Sequence, residues 1–177
     1  MTPPTSGSGG AGAARAGDGP DGFIELVDVH KSFGSNHVLR GIDLRIRTGE
    51  IITLLGGSGS GKSVMLKHMI GLLRPDRGRV IVDGRDTTDW SERDWVELRK
   101  RIGYVFQGAA LFDSVPVFEN VAYALREHRR MTRDELARRV AECLDAVGLA
   151  GIEALMPAEL SGGMRKRVAV ARAIALE

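Results

Sequence analysis

Eight residues constrain this chain more than any others: Gly56-Gly57-Ser58-Gly59-Ser60-Gly61-Lys62-Ser63. They fit the pattern G-x-x-x-x-G-K-S/T, and the residues on each side sharpen the reading. Before them, Ile51-Ile52-Thr53-Leu54-Leu55 is a continuous apolar run, which predicts a parallel strand covered on both faces. After them, Met65, Leu66, Met69, Ile70 and Leu73 recur on one side of a helix, and the run RPDRG over 74–78 closes it. A strand, a glycine loop and a helix start in that order build an anion site. The glycines let the backbone wrap around phosphate with its N–H groups turned inward. A helix starting near Gly61 adds the positive end of its dipole. Lys62 can reach β- and γ-phosphates, and Ser63 can place its hydroxyl on Mg²⁺. A plain flexible Gly/Ser loop would not come with those flanking elements. The loop implies nucleotide binding, but it does not separate transport ATPases from GTPases, kinases or DNA-repair ATPases.

Organisation along the chain narrows the choice. Residues 1–22 are Gly, Pro, Ser and Ala with almost nothing to bury, which predicts a disordered tail. FIELVDV over 23–29 reads as a strand, Gly34-Ser35-Asn36 as a turn, and IDLRIR over 42–47 as a half-buried antiparallel strand. RVIVDG over 79–84 reads as a strand and turn, and IGYVF over 102–106 as a further strand. From Pro116 to Ala150 the pattern is helical. Thr132 to Glu135 has the form of a capping box, and Leu136, Val140, Cys143, Leu144 and Val147 form a buried stripe that ends at Gly148. Composition excludes other classes. A formal net charge of +2 gives no electrostatic case for nucleic acid or anionic lipid as main partner. The single cysteine, Cys143, permits no intrachain disulfide and reads as core. No apolar run approaches bilayer length, and no secretory signal is visible. His30, His37, His68 and His128 lack metal-ligand spacing. Trp90 and Trp95 bracket a polar stretch and are expected to cover the sheet edge.

A second motif, Leu160-Ser161-Gly162-Gly163-Met164, stands just before another helical segment. Ser-Gly-Gly there makes a helix N-terminus with unpaired backbone N–H groups, a second anion site. Alone it would be an ordinary N-cap. One nucleotide rarely needs two such sites from one chain, and a second copy of the chain could supply this one. Arg165-Lys166-Arg167 could assist that site or form a solvated helix face.

These motifs, in this order, are where the sequence resembles the ATP-binding subunit of ABC transporters, from about Phe23 to Glu177. GGSGSGKS is similar to the family's Walker A motif, and LSGGM to its signature, with Met164 where glutamine is commonest. Gln107, closing YVFQ, sits at the Q-loop position, and Phe33 sits where an aromatic residue stacks on adenine. The resemblance implies an α/β P-loop NTPase fold, the ABC-type nucleotide-binding domain. It would have an antiparallel β subdomain and an α-helical subdomain at about 108–160 within a domain of 23–177. It implies ATP and Mg²⁺ as ligands. Phe33, Gly56 through Ser63, Ser161, Gly162 and Gly163 would hold ATP, the last three touching the γ-phosphate carried by a partner subunit. Ser63 and Gln107 would contact Mg²⁺, and Lys62 and Gln107 would serve the reaction.

A narrower resemblance rests on VFQGAALFDSVPVFENVAYALREH over 105–128 and LMPAELSGGMRKRVAVARAIALE over 155–177. Both are similar to the ATPases of the Mla, or toluene-tolerance, branch. That branch implies a homodimer that powers lipid movement through an MlaE-type permease and, indirectly, an MCE-type lipid-binding protein. It would act at the cytoplasmic face of the bacterial inner membrane, with no nucleic acid partner. The stretch 108–127, where the family docks its permease, should expose apolar residues including Leu111, Phe112 and Val117. Competing readings are an ATPase for another imported substrate such as an amino acid or metal chelate, a non-hydrolytic nucleotide-binding module, and a soluble ABC protein of DNA repair or translation. The last usually carries coiled-coil insertions or a duplicated cassette.

In the family the signature helix leads to a strand ending Asp-Glu (Walker B) and later to a switch histidine. Neither motif follows Ala175-Leu176-Glu177, so the resemblance implies a C-terminally truncated domain without its last strands. The expectation is that residues 1–177 alone bind nucleotide at most and turn over no ATP above background. Steady turnover by this polypeptide that vanishes in Lys62→Ala would overturn it.

Overall fold

The computed structural model describes residues 22–177, so the expected tail lies outside the described residues except for Gly22, which opens the first strand. Two compact units are present. One runs up to Met65 and resumes over Pro75–Thr88; the other comprises Leu66–Arg74 and Asp89–Glu177.

The first unit is built on a four-stranded antiparallel sheet in the order β2-β1-β3-β4. Its strands are β1 (Gly22–Phe33), β2 (Asn36–Arg47), β3 (Arg77–Val82) and β4 (Arg85–Asp86). Ile24, Leu26, Val29, Leu39, Val80 and Val82 supply its buried side chains. The β1–β2 hairpin runs longer than the sequence pattern implied and turns at Gly34-Ser35, with Phe33 opposite Asn36. β1 carries a bulge at Asp28, where φ is +47° and the register shifts against both neighbours. The Asp28 carboxylate lies 2.8 Å from His30 Nε2 and 3.0 Å from the Arg77 guanidinium. The hydrogen bond from His30, with the Arg77 charge behind it, holds the carboxyl below its usual range.

Two expected strands are not strands. Residues 51–55 pair with no described strand, and Ile51 and Leu55 are 95% and 89% exposed. Residues 102–106 are likewise irregular. An apolar strand buried on both faces needs a hydrogen-bonded neighbour on each side, and the described strands β1 to β4 pair only with one another.

α1 (Lys62–Met69) does follow the loop, but it ends before RPDRG. Leu72 N donates to Lys67 O and Gly71 N to His68 O, with Gly71 at φ +67°. This is a Schellman stop, which takes the chain into the left-handed region where glycine is favoured. Met69 and Ile70 are buried as expected, but Leu66 is 40% exposed, so the apolar face is narrower than the periodicity suggests.

α2 (Glu92–Arg99) was read as a polar stretch. It is a helix opened by a full capping box, in which Asp94 Oδ2 accepts from Ser91 N at 2.9 Å and Ser91 Oγ accepts from Asp94 N. Trp90 precedes this helix and Trp95 lies within it. Both lie in the second unit, where Trp95 is buried against Gly71 and meets Trp90 edge-on at 5.0 Å. Arg99 donates to Ile70 O and Gly71 O, both at 3.0 Å, and so satisfies the carbonyls left at the end of α1.

The remaining helices, α3 (Val117–His128), α4 (Arg133–Ala146) and α5 (Gly162–Ala173), share one apolar core. Val121, Leu125, Leu136, Val140, Leu144 and Val168 are central to it. The Thr132–Glu135 capping box and the stop at Gly148 form as the sequence implied, and Cys143 is core. Val117, expected on an exposed patch, is fully buried. It is the first residue of α3, and its side chain belongs to this core.

A Cβ at Gly71 would stand 2.1 Å from a Trp95 ring atom, in a backbone conformation that L-residues avoid. Gly71→Ala is therefore expected to lower unfolding free energy by about 3 kcal/mol. Urea denaturation checks this, and an unchanged midpoint would remove Gly71 from the packing argument.

Candidate functional site

The phosphate loop belongs to the first unit and the α1 helix starts at its end, one residue after Gly61. Gly61 is needed for two reasons: φ is +90°, and a Cβ would lie 2.9 Å from Leu39 Cδ2 and 3.1 Å from Val38 Cγ1. The loop therefore lies directly against β2. Over Gly57 and Gly59, by contrast, an added Cβ would meet nothing within 4 Å. The loop backbone is thus packed on one side and open on the other, as a cradle for an anion must be. Lys62 Nζ is directed into the loop, donating to Gly56 O at 2.7 Å, Gly57 O at 2.8 Å and Ser60 Oγ at 3.2 Å. Ser63 is exposed in the first turn of α1. These positions suit a nucleotide with Mg²⁺: backbone donors, one ammonium and one hydroxyl at a helix N-terminus.

Phe33 lies in the same unit. It ends β1, is 49% exposed, and has Lys31 Nζ 5.8 Å from its ring centroid. An aromatic residue this exposed is not core, which leaves its face available for stacking.

Gln107 and the signature residues lie in the second unit. Gln107 and Gly108 form the tip of a turn closed by Ala109 N donating to Phe106 O at 2.9 Å, and Gln107 is exposed. Ser161 caps α5, its Oγ accepting from Met164 N at 3.2 Å. Gly162 and Gly163 have helical backbones and open space where a Cβ would be, Gly163 having only Ser161 Oγ at 4.0 Å. Among the described residues nothing requires glycine at either position, and glycine costs roughly 1 kcal/mol against alanine in a helix. The pair leaves room for something to approach this backbone closely.

Arg165, Lys166 and Arg167 are exposed, as a solvated helix face implies, and the two arginines also make hydrogen bonds to backbone carbonyls. Arg165 donates to Leu160 O at 2.7 Å, and Arg167 donates to Val147 O and Gly148 O, capping the end of α4.

Sequence reasoning passed over two residues that hold the segment following Gln107. Asn120 is fully buried in α3. Its Oδ1 accepts from Phe112 N at 2.7 Å, and its Nδ2 donates to Phe112 O and Val115 O at 3.1 Å. Arg172, near the end of α5, donates to Ala109 O and Ala110 O, both at 2.8 Å. Burial lowers the pKa of its guanidinium. An amide on the apolar stripe of α3 and a lone cation in the run VAVARAIA were the available signals.

Comparison with known proteins shows the family and the fold. Residues 39–177 match the family described as ABC transporter. A probable ribonucleotide transport ATP-binding protein of Mycobacterium leprae is 46% identical over 93% of this chain and 48% of its own length. Protein TRIGALACTOSYLDIACYLGLYCEROL 3, chloroplastic, of Arabidopsis thaliana is 47% identical over 87% of this chain and 44% of its own. The intermembrane phospholipid transport system ATP-binding protein MlaF of Haemophilus influenzae is 42% identical over 88% and 59%. The chain thus spans about half the length of the curated relatives it matches. Among solved structures, a dimeric bacterial ABC transporter cassette superposes with a TM-score of 0.81 at 35% identity, covering 86% of this chain and 69% of that one.

The cap at Ser161 has a separable energetic signature. Ser161→Ala is expected to cost about 1 kcal/mol of stability, while Ser161→Asp, which keeps an acceptor at the N-cap, costs a few tenths or less, about 0.3 kcal/mol. Thermal unfolding of the two variants side by side checks this; equal losses would show that the cap is not what Ser161 contributes.

Proposed function

The chain belongs to the ABC transporter family, and from that premise we propose that it is the nucleotide-binding part of a subunit that hydrolyses ATP to drive transport. The observation that carries this reading is the pairing of two separate anion-ready helix starts in one chain. One is the loop with Lys62 directed into it; the other is Ser161 with open glycines beside it. ATP binds with its phosphates on the loop from Gly56 to Ser63, Lys62 at the β- and γ-phosphates, Ser63 on Mg²⁺ and Phe33 stacked on the base. Gln107 keeps the role the resemblance gives it, an Mg²⁺ contact and a sensor of the permease. Ser161, Gly162 and Gly163 face the γ-phosphate held by a second copy, so ATP joins two subunits head to tail and its hydrolysis releases them. That is a ligand-shifted two-state switch.

The subunit works peripherally, on the cytoplasmic face of the inner membrane, through a permease. No described helix is long and apolar enough to cross a membrane. The surface that supports permease docking is a groove of about 490 Å³ lined by Phe112, Ser114, Val115, Glu119, Tyr123 and Arg126. Phe112 and Tyr123 are exposed there, with ring centroids 5.1 Å apart. We assign the cargo as phospholipid, moved with an MlaE-type permease and an MCE-type protein. The stretches 105–128 and 155–177 and the MlaF relative support this. A sulfate/thiosulfate import ATP-binding protein of Synechococcus elongatus is 44% identical, which keeps import of a small solute as the second reading. Genes beside this one decide between the two: an MlaE-type permease and an MCE protein for lipid, a solute-binding protein for import.

The decisive test of the nucleotide reading is Lys62→Ala in the whole protein. Loss of a charge-assisted contact predicts about a hundredfold weaker MgATP binding by calorimetry. Affinity within about twofold of wild type would defeat the reading. Ser161→Asp, stable but negatively charged where a partner's γ-phosphate should sit, is expected to abolish ATP-dependent dimerisation in size-exclusion chromatography. A dimer that still forms would sink the head-to-tail arrangement.

A further inference from the structure

Immediately after Gln107 the backbone does something unusual for its residues. Ala109 and Ala110 both have positive φ, +65° and +49°. Neither is glycine, asparagine or aspartate, so two successive left-handed residues are held against their own preference. Such a conformation persists only where the surroundings fix it, and here one side chain holds the carbonyls of both residues, beside the turn hydrogen bond from Ala109 N to Phe106 O. Arg172 presents its guanidinium as a fork, Nη2 to Ala109 O and Nη1 to Ala110 O, each at 2.8 Å. The same guanidinium lies 5.9 Å from the centroid of the Phe112 ring. Beyond Phe112 the chain is held by Asn120 of α3. The segment after Gln107 is therefore tied to α5 at one end and to α3 at the other.

Arg172 stands on α5, the helix that Ser161 caps. We propose that Arg172 is a positioning residue for Gln107: its fork locks the strained Ala109–Ala110 turn onto the signature helix, so that a displacement of α5 is delivered to Gln107. This rests on the role proposed above for Gln107 and adds the device that ties that glutamine to the signature. The geometry explains why arginine is needed. Two carbonyls of adjacent residues turned toward one planar donor require parallel N–H groups at fixed spacing, which a lysine ammonium does not present. It also explains why the turn is alanine. Glycines would adopt these angles unaided and would leave the turn free to take others, so that movement of α5 would be absorbed rather than transmitted.

The test uses the whole protein with Arg172→Lys, alone and combined with Ala109→Gly and Ala110→Gly. Three readouts are taken: MgATP affinity, steady-state ATPase constants and hydrogen exchange of individual peptides. For Arg172→Lys, kcat is expected to fall about tenfold or more while MgATP affinity stays within about twofold. Amide exchange over 107–112 should rise about tenfold, with exchange in the middle of α5 unchanged. Adding the two glycines relieves the strained turn and should recover the thermal midpoint without recovering kcat. Recovery of kcat together with stability would reduce Arg172 to a structural role and overturn the proposal, as would an unchanged kcat in Arg172→Lys. If Arg172→Lys does not fold, Ala109→Gly/Ala110→Gly with Arg172 intact decides. Slower turnover at unchanged affinity supports the lock, and wild-type turnover refutes it. Lys62→Ala run in parallel separates the two layers. ATPase that survives that change defeats the nucleotide reading, whereas exchange over 107–112 still reports on the lock.

Discussion

The burial of α5 against α3 and α4 is the contact on which the second unit depends. Val168 and Ala171 of α5, with Ala175 just beyond it, are buried against Val117, Val121 and Leu125 of α3 and Val140 and Leu144 of α4. Small residues at 171 and 175, on the face that joins this core, let the helix come close to its neighbours. That closeness leaves the irregular segments around α5 with backbone carbonyls near the core and no ladder to join. Arginines supply the donors. Arg165, Arg167 and Arg172 reach out from α5 to Leu160, to Val147 and Gly148, and to Ala109 and Ala110. Arg139 reaches in from α4 to Ile174 and Ala175, and Arg129 to Leu176. The apolar core sets the distance, and the guanidinium groups settle the polar consequences.

Much of this was legible in the residues, and what was missed follows a rule. Local chemistry read well. The loop from Gly56 to Ser63, the capping box at Thr132, the stop at Gly148, the cap at Ser161 and the buried Cys143 each depend on a few neighbouring residues whose own side chains settle the conformation. Non-local pairing read poorly. Ile51 to Leu55 has the composition of a central strand, yet strand formation belongs to the partner as much as to the segment, and no described strand pairs with it. Long-range satisfaction was invisible too. Nothing in the sequence says that Arg172 serves Ala109 and Ala110, some sixty residues upstream (62 and 63 residues of separation), or that the amide of Asn120 is committed to loop carbonyls. The box at Ser91 was legible and was passed over, because the charge of the segment SERD hid the pair Trp95 and Leu98 behind it.

The parts of the molecule that bear on function differ in how much they can vary. Under the proposed function, nucleotide recognition rests on the loop backbone with Lys62, Ser63 and Phe33, and it says nothing of cargo. The surface around Phe112 and Tyr123 is built on exposed aromatic side chains of the second unit, whereas the loop belongs to the first. Relatives with similar identity to this chain carry names as different as phospholipid, ribonucleotide and sulfate transport, in keeping with that division.

Lys62 gives the loop a charge threshold. Its ammonium already has three oxygen partners within the loop, two of them carbonyls. An incoming ligand must offer enough negative charge to draw it away from them, because exchanging one neutral acceptor for another gains little. Under the proposed function, charge is therefore what the loop asks of a ligand first: its phosphates, more than its base, draw the lysine out of its present contacts.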